Sequence, residues 1–172
     1  LDDDCLEVDG CQSESCLTAF PMHDGVPVAE ADAGLSLVYP GATIGMASDH
    51  AGSCEEATAA APDAVYTFEL LDPMRVTISH DFDGTLYYPA LYLFAGGCGP
   101  DEEVACATAT SGAAVLESVF LEPNIYFVVV DASFETDEQA FVLELLFEAI
   151  PETETDGTDA VDDDADGFLH CC

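Results

Sequence analysis

Ala64-Val65-Tyr66-Thr67-Phe68-Glu69-Leu70-Leu71-Asp72-Pro73-Met74-Arg75-Val76-Thr77-Ile78-Ser79 is the stretch whose reading decides the fold. Tyr66, Phe68 and Leu70 alternate with Val65, Thr67 and Glu69, and further on Val76 and Ile78 alternate with Arg75, Thr77 and Ser79. Successive strand side chains point to opposite faces, so each run predicts a strand with one apolar face. Between them, Asp72-Pro73 has turn chemistry: proline fixes φ, and the aspartate side chain hydrogen-bonds its own backbone.

Working outward, similar short apolar runs recur at 35–39, 90–95, 104–107, 113–121, 125–131 and 140–147. Asp83-Gly84, Gly96-Gly97 and Pro123-Asn124 fall between runs as further turns. Short strands at this spacing predict an all-β fold, an antiparallel β-sandwich of jelly-roll-like form. The last run, within 139–150, has two readings. Phe141, Leu145 and Glu148 would share a helix face, whereas Phe141, Leu143, Leu145 and Phe147 alternate as in a strand; the strand is preferred.

The chain has 172 residues, 36 of them acidic against one basic (Arg75), for a formal charge of -35. Nucleic acid and anionic membrane both need a cationic face, so both are excluded as partners and cations are favoured. A hydrophobic fraction of 49% belongs to a folded domain, not to an acidic disordered tail. Composition divides the chain into an acidic, Cys-bearing N-terminal arm (1–34), the sandwich (35–150) and an acidic C-terminal segment (151–172). Eight cysteines point to an oxidising, extracellular setting. Leu1 in place of Met, with no basic and apolar leader after it, reads as a mature secreted product.

The segment Ala61-Pro62-Asp63-Ala64-Val65-Tyr66-Thr67-Phe68, then Val76-Thr77-Ile78, then Leu91-Tyr92-Leu93-Phe94 leading to Cys98 and Cys106, resembles the bacterial pre-peptidase C-terminal domain. Tyr126-Phe127-Val128-Val129-Val130-Asp131 is similar to that family's strand near its end, and the resemblance spans 36–148. It implies a secreted β-sandwich with a non-catalytic accessory or structural role. Asn124-Ile125 departs from the Gly-containing turn usual in the family.

The strongest chemical signal is Asp162-Asp163-Asp164-Ala165-Asp166-Gly167. Alternate carboxylates followed by glycine let a tight loop aim several hard oxygens at one Ca²⁺. Asp162, Asp164 and Asp166 are the expected ligands, with the Phe168 carbonyl beside them; the closing acid of a 12-residue loop would fall beyond Cys172. The run resembles the Asp-rich, Cys-closed calcium repeats of bacterial surface proteins, which continue into another Asp-rich stretch. Here Leu1-Asp2-Asp3-Asp4-Cys5 supplies such a continuation, which suggests copies meeting head to tail with Asp2 and Asp4 completing the site. A solvated acidic tail is the plainer alternative.

Cys98 and Cys106 flank a Gly-Pro-Asp turn and are expected to pair across a hairpin. The other six cysteines (Cys5, Cys11, Cys16, Cys54, Cys171, Cys172) leave about 15 complete pairings open. A zinc cluster of His170, Cys171 and Cys172 has no C-x-x-C pair behind it. Ser79-His80-Asp81 cannot form a hydrolase triad, since neighbours on a strand point to opposite faces. His23, His50 and His80 read as surface or satisfied polar residues, and Asp81 with Asp83 as a turn or a second Ca²⁺ loop. Arg75 is expected to neutralise a carboxylate across the sheet. Tyr87, Tyr88, Tyr92 and Tyr126 would stack on sugars only if exposed, and are expected in the core with hydroxyls at its rim. No N-linked sequon is present, while O-linked glycan on Thr153, Thr155, Thr158 or 108–111 is open.

Together these features predict a secreted, non-enzymatic module, the repeating unit of an extracellular fibre or surface assembly with Ca²⁺-stabilised head-to-tail junctions. The alternative is an accessory domain that presents a secreted hydrolase to protein or polysaccharide. Strand 34–39, behind its acidic arm, pairs either with its own sandwich or with a neighbour's open edge.

Overall fold

The computed structural model describes residues 16–54, 61–82, 88–110, 112–132 and 140–150. Among these residues nine strands run in chain order: β1 (Phe20–Pro21), β2 (Ser36–Ala42), β3 (Ala64–Leu70), β4 (Met74–Phe82), β5 (Pro89–Ala95), β6 (Glu103–Thr108), β7 (Ala114–Leu121), β8 (Asn124–Ala132) and β9 (Ala140–Glu148). They make a five-stranded sheet, β1-β3-β8-β5-β6, and a four-stranded one, β2-β9-β4-β7. All pairs are antiparallel except the short β1 beside β3. The result is an all-β sandwich, and every apolar run read from the sequence is one of its strands.

Alternation explains the core. Tyr66, Phe68 and Leu70 of β3 and Met74, Val76 and Ile78 of β4 are buried between the sheets with Leu91, Leu93, Val128 and Val130. The 139–150 ambiguity resolves as a strand, with Phe141, Leu143, Leu145 and Phe147 buried and the residues between them exposed. A helix would have turned Glu148 to the same face as Phe141, at the cost of burying a carboxylate. β2 pairs with β9 of its own sandwich, from Ser36–Leu146 to Ala42–Ala140. Within the core, Phe68 stacks on Tyr126 at 5.3 Å between ring centres and meets Phe147 edge-on.

A bulge interrupts the β4–β7 register between Val76 and Ile78, and Ser118 takes a positive φ of 46° there. Thr77 Oγ1 accepts the Ser118 N–H at 3.1 Å, and Arg75 donates to the Ser118 carbonyl at 3.0 Å. The one arginine therefore secures backbone that the bulge has taken out of the ladder, although it also stands opposite Glu148 of β9.

β5 is buried on both faces, which its unbroken apolar run Pro89 to Phe94 reflects. Leu91 and Leu93 enter the main core, while Ala90, Tyr92 and Phe94 join Val65 and Val129 in a second cluster on the outer face of the five-stranded sheet. Cys16, Ala19, Cys98, Cys106 and Phe127 pack against that cluster. Gly52 lies flat on it: a Cβ there would stand 2.1 Å from the Tyr92 ring. Part of what reads as the N-terminal arm thus belongs to the sandwich, with β1 beside β3 and Val28 bridged to Leu70.

Two disulfides hold this outer layer, Cys16–Cys98 and Cys54–Cys106. The expected Cys98–Cys106 pair is not formed. Cys106 lies inside β6 opposite Tyr92, whereas Cys98 lies in the connection beyond the last pair, Phe94–Glu103, so the two do not face each other across the hairpin. Each instead reaches a distant cysteine, over 82 and 52 residues.

Candidate functional site

The densest polar chemistry among the described residues sits in the outer layer, at the start of β3. Ala64 points into the main core, so the preceding Asp63 faces outward, yet the covering segment leaves it 0% exposed. A buried carboxylate needs donors, and three are supplied. Asp63 Oδ2 accepts the backbone N–H groups of Asp49 (2.7 Å) and His50 (2.8 Å), and Oδ1 lies 3.0 Å from His50 Nδ1. The Asp63 N–H in turn donates to the Ala47 carbonyl at 3.0 Å, so this residue anchors the covering segment at both ends of its own side chain and backbone.

With Nδ1 held by the carboxylate, His50 directs Nε2 to Cys16 Sγ at 3.7 Å. The Asp63 hydrogen bond raises the His50 pKa above its ordinary value; burial works against this, and the charges of Asp63 and Asp49 add to it. The order is carboxylate, imidazole, sulfur, and Sγ of Cys16 and Cys98 and the His50 ring nitrogen all lie within 4.8 Å of one another. Beside it, Asp131 stands one residue beyond Val130, just as Asp63 stands one before Val130's partner Ala64. Its carboxylate is also buried, accepting from the Tyr92 hydroxyl at 2.9 Å and from the Ala132 N–H at 2.6 Å.

At the second bridge, the Cys54 N–H donates to Cys106 Sγ at 3.1 Å, and Glu103 takes both donors of Ser53. No imidazole faces that bridge among the described residues.

The proposed Ca²⁺ ligands Asp162, Asp164, Asp166, Phe168, Asp2 and Asp4 lie outside the described residues, as do Cys5, Cys11, His170, Cys171 and Cys172. Asp83 and Gly84 do too, while Asp81 is exposed on β4. The Ser79-His80-Asp81 run falls as strand geometry requires: His80 is buried, with Ser79 and Asp81 on the other face. His80 lies 6.4 Å from the Phe141 ring, and burial pulls its pKa down to about 3. Tyr92 and Tyr126 are buried, and Tyr126 donates to the Glu122 carbonyl at the core's rim. Tyr88 is half-buried.

Sequence reading missed the Asp63–His50–Cys16–Cys98 corner because its members are brought together from four separate stretches with no motif spacing. The only local hint is a charged residue, Asp63, in an otherwise apolar approach to β3.

No family model matches the chain, and no curated protein matches it. Among solved structures, the chain is similar to the pre-peptidase C-terminal domain of a collagenase from Bacillus anthracis, with 19% identity, 72% of this chain and 97% of that one covered, and a TM-score of 0.43. It is also similar to a cycloisomaltooligosaccharide glucanotransferase from Paenibacillus sp., with 10% identity, 74% of this chain and 19% of that one covered, and a TM-score of 0.30. Neither likeness is close enough to carry function across. No helix among the described residues is long and apolar enough to cross a membrane.

Proposed function

We propose that the chain is a non-catalytic structural module of an extracellular assembly, in which a disulfide-held sandwich is joined to further copies through Ca²⁺ bound at its acidic ends. The distribution of acid supports this: 14 of the 36 acidic residues lie in 1–15 and 151–172, eight of them in the segment carrying the D-x-D-x-D-G run. Carboxylates at this density repel one another, and a divalent cation shared between Asp162, Asp164, Asp166 and the next copy's Asp2 and Asp4 turns that repulsion into a junction. The accessory-domain alternative asks for exposed aromatic rings: Tyr92 and Tyr126 are buried, whereas Phe120 is exposed.

Sedimentation velocity across a Ca²⁺ series tests the proposal. Millimolar Ca²⁺ should drive association, and Asp162→Asn, Asp164→Asn and Asp166→Asn together should abolish it. Association produced equally by molar NaCl would instead mean general charge screening with no specific site.

A further inference from the structure

Every sulfur in this chain sits in an acidic molecule with a single arginine and no lysine. Negative surroundings disfavour a thiolate and hence slow the opening of a disulfide, whose rate depends on how readily the departing sulfur carries charge. One bridge differs. At Cys16–Cys98, His50 Nε2 lies 3.7 Å from Cys16 Sγ, and its other nitrogen is held 3.0 Å from the buried Asp63 carboxylate. At Cys54–Cys106 the nearby side-chain charge is Glu103, engaged with Ser53.

We propose that Cys16–Cys98 is a thiol–disulfide exchange site, in which an incoming thiolate attacks Cys98 Sγ and the departing Cys16 thiolate is received by the His50 imidazolium. One S–S bond forms, between the incoming sulfur and Cys98, as the Cys16–Cys98 bond breaks. The bonding pair leaves on Cys16 Sγ, where the His50 Nε2 proton either remains as the charge partner or is transferred. No oxidant is consumed, because each exchange replaces one disulfide by another.

The geometry fixes the direction of attack, since the imidazole contacts Cys16, the sulfur that leaves. Asp63 is a positioning residue: it holds the ring and its tautomer, as a carboxylate behind a histidine does at many reactive sulfurs. The groups facing His50 are Asp63, Asp49 and Cys16, and both acids favour the charged ring. The site acts in the oxidised protein and is independent of any Ca²⁺ at the chain ends.

The test uses the intact oxidised chain and limiting 2-mercaptoethanol, a small thiol whose thiolate carries no charge beyond the attacking sulfur. Samples are quenched by alkylation at intervals, and the two bridges are followed by peptide mass spectrometry. Cys16–Cys98 should open about tenfold faster than Cys54–Cys106, with the adduct on Cys98 and free Cys16 alkylated. His50→Gln should slow the first bridge by about the same factor and leave the second unchanged. A loosened fold would speed both bridges, so slowing of one alone is not a by-product of instability. An adduct on Cys16, equal rates for the native chain and His50→Gln, or acceleration of both bridges by the substitution would overturn the proposal.

Discussion

His80 and His50 are buried or half-buried for opposite reasons, and acid separates them. His80 is held neutral by burial, with a pKa of about 3 against an ordinary 6.5. Its unfolded form takes up a proton as pH falls below 6.5 while the folded form does not, so its contribution is intact above 6.5 and is lost on acidification. His50, raised by Asp63, behaves the other way: its pairing stabilises below 6.5 and fades as pH rises through its elevated pKa. Denaturant unfolding at pH 7 and pH 5 should show His80→Leu losing less stability on acidification than the native chain, by up to about 1.4 kcal/mol per pH unit below 6.5. Equal losses would mean that His80 is already charged in the fold. Asp63→Ala should cost about 2 kcal/mol, because it removes the partner of two part-buried N–H groups and of the imidazole. A cost under about 0.5 kcal/mol in the same unfolding experiment would show that the Asp49–His50 turn does not depend on it.

Among the elements, the strands were legible because each buries one face and says so every second residue. β9 illustrates this: Phe141, Leu143, Leu145 and Phe147 are buried at period two, which a helix reading could not accommodate. The outer layer was not legible. Val65 and Tyr92 lie on the face that alternation assigns to solvent, and only the fold shows that 16–19 and the segment around Gly52 cover them. The disulfides were misread for a related reason: cysteine pairing follows distance in space, and Cys16 and Cys98 are 82 residues apart. The covering layer should fail as a unit. Gly52→Ala places a methyl group in the Tyr92 ring and should cost about 2 kcal/mol in denaturant unfolding. Replacing Cys54 and Cys106 by serine opens a 52-residue loop in the unfolded chain and should lower stability by about 4 kcal/mol. Unfolding midpoints unchanged by both would mean the layer adds nothing to the sandwich.

For the whole molecule, 36 carboxylates and one arginine set the electrostatics. The sequence makes the acidic ends conspicuous; the proposed ligand set draws on a second copy and lies outside the described residues. If Ca²⁺ binds the folded chain at its ends, the melting temperature should rise with the logarithm of Ca²⁺ concentration above the dissociation constant, and Mg²⁺ should substitute poorly for want of octahedral geometry. The central claim is that Ca²⁺ joins copies end to end. Cryo-electron microscopy of the isolated protein, with a matched sample after EDTA, tests it most directly. The account predicts filaments in which the Cys171-Cys172 end of one copy packs on Asp2, Asp3 and Asp4 of the next, with metal density at the junction that EDTA removes as the filaments loosen. Dispersed monomers indifferent to EDTA would contradict it.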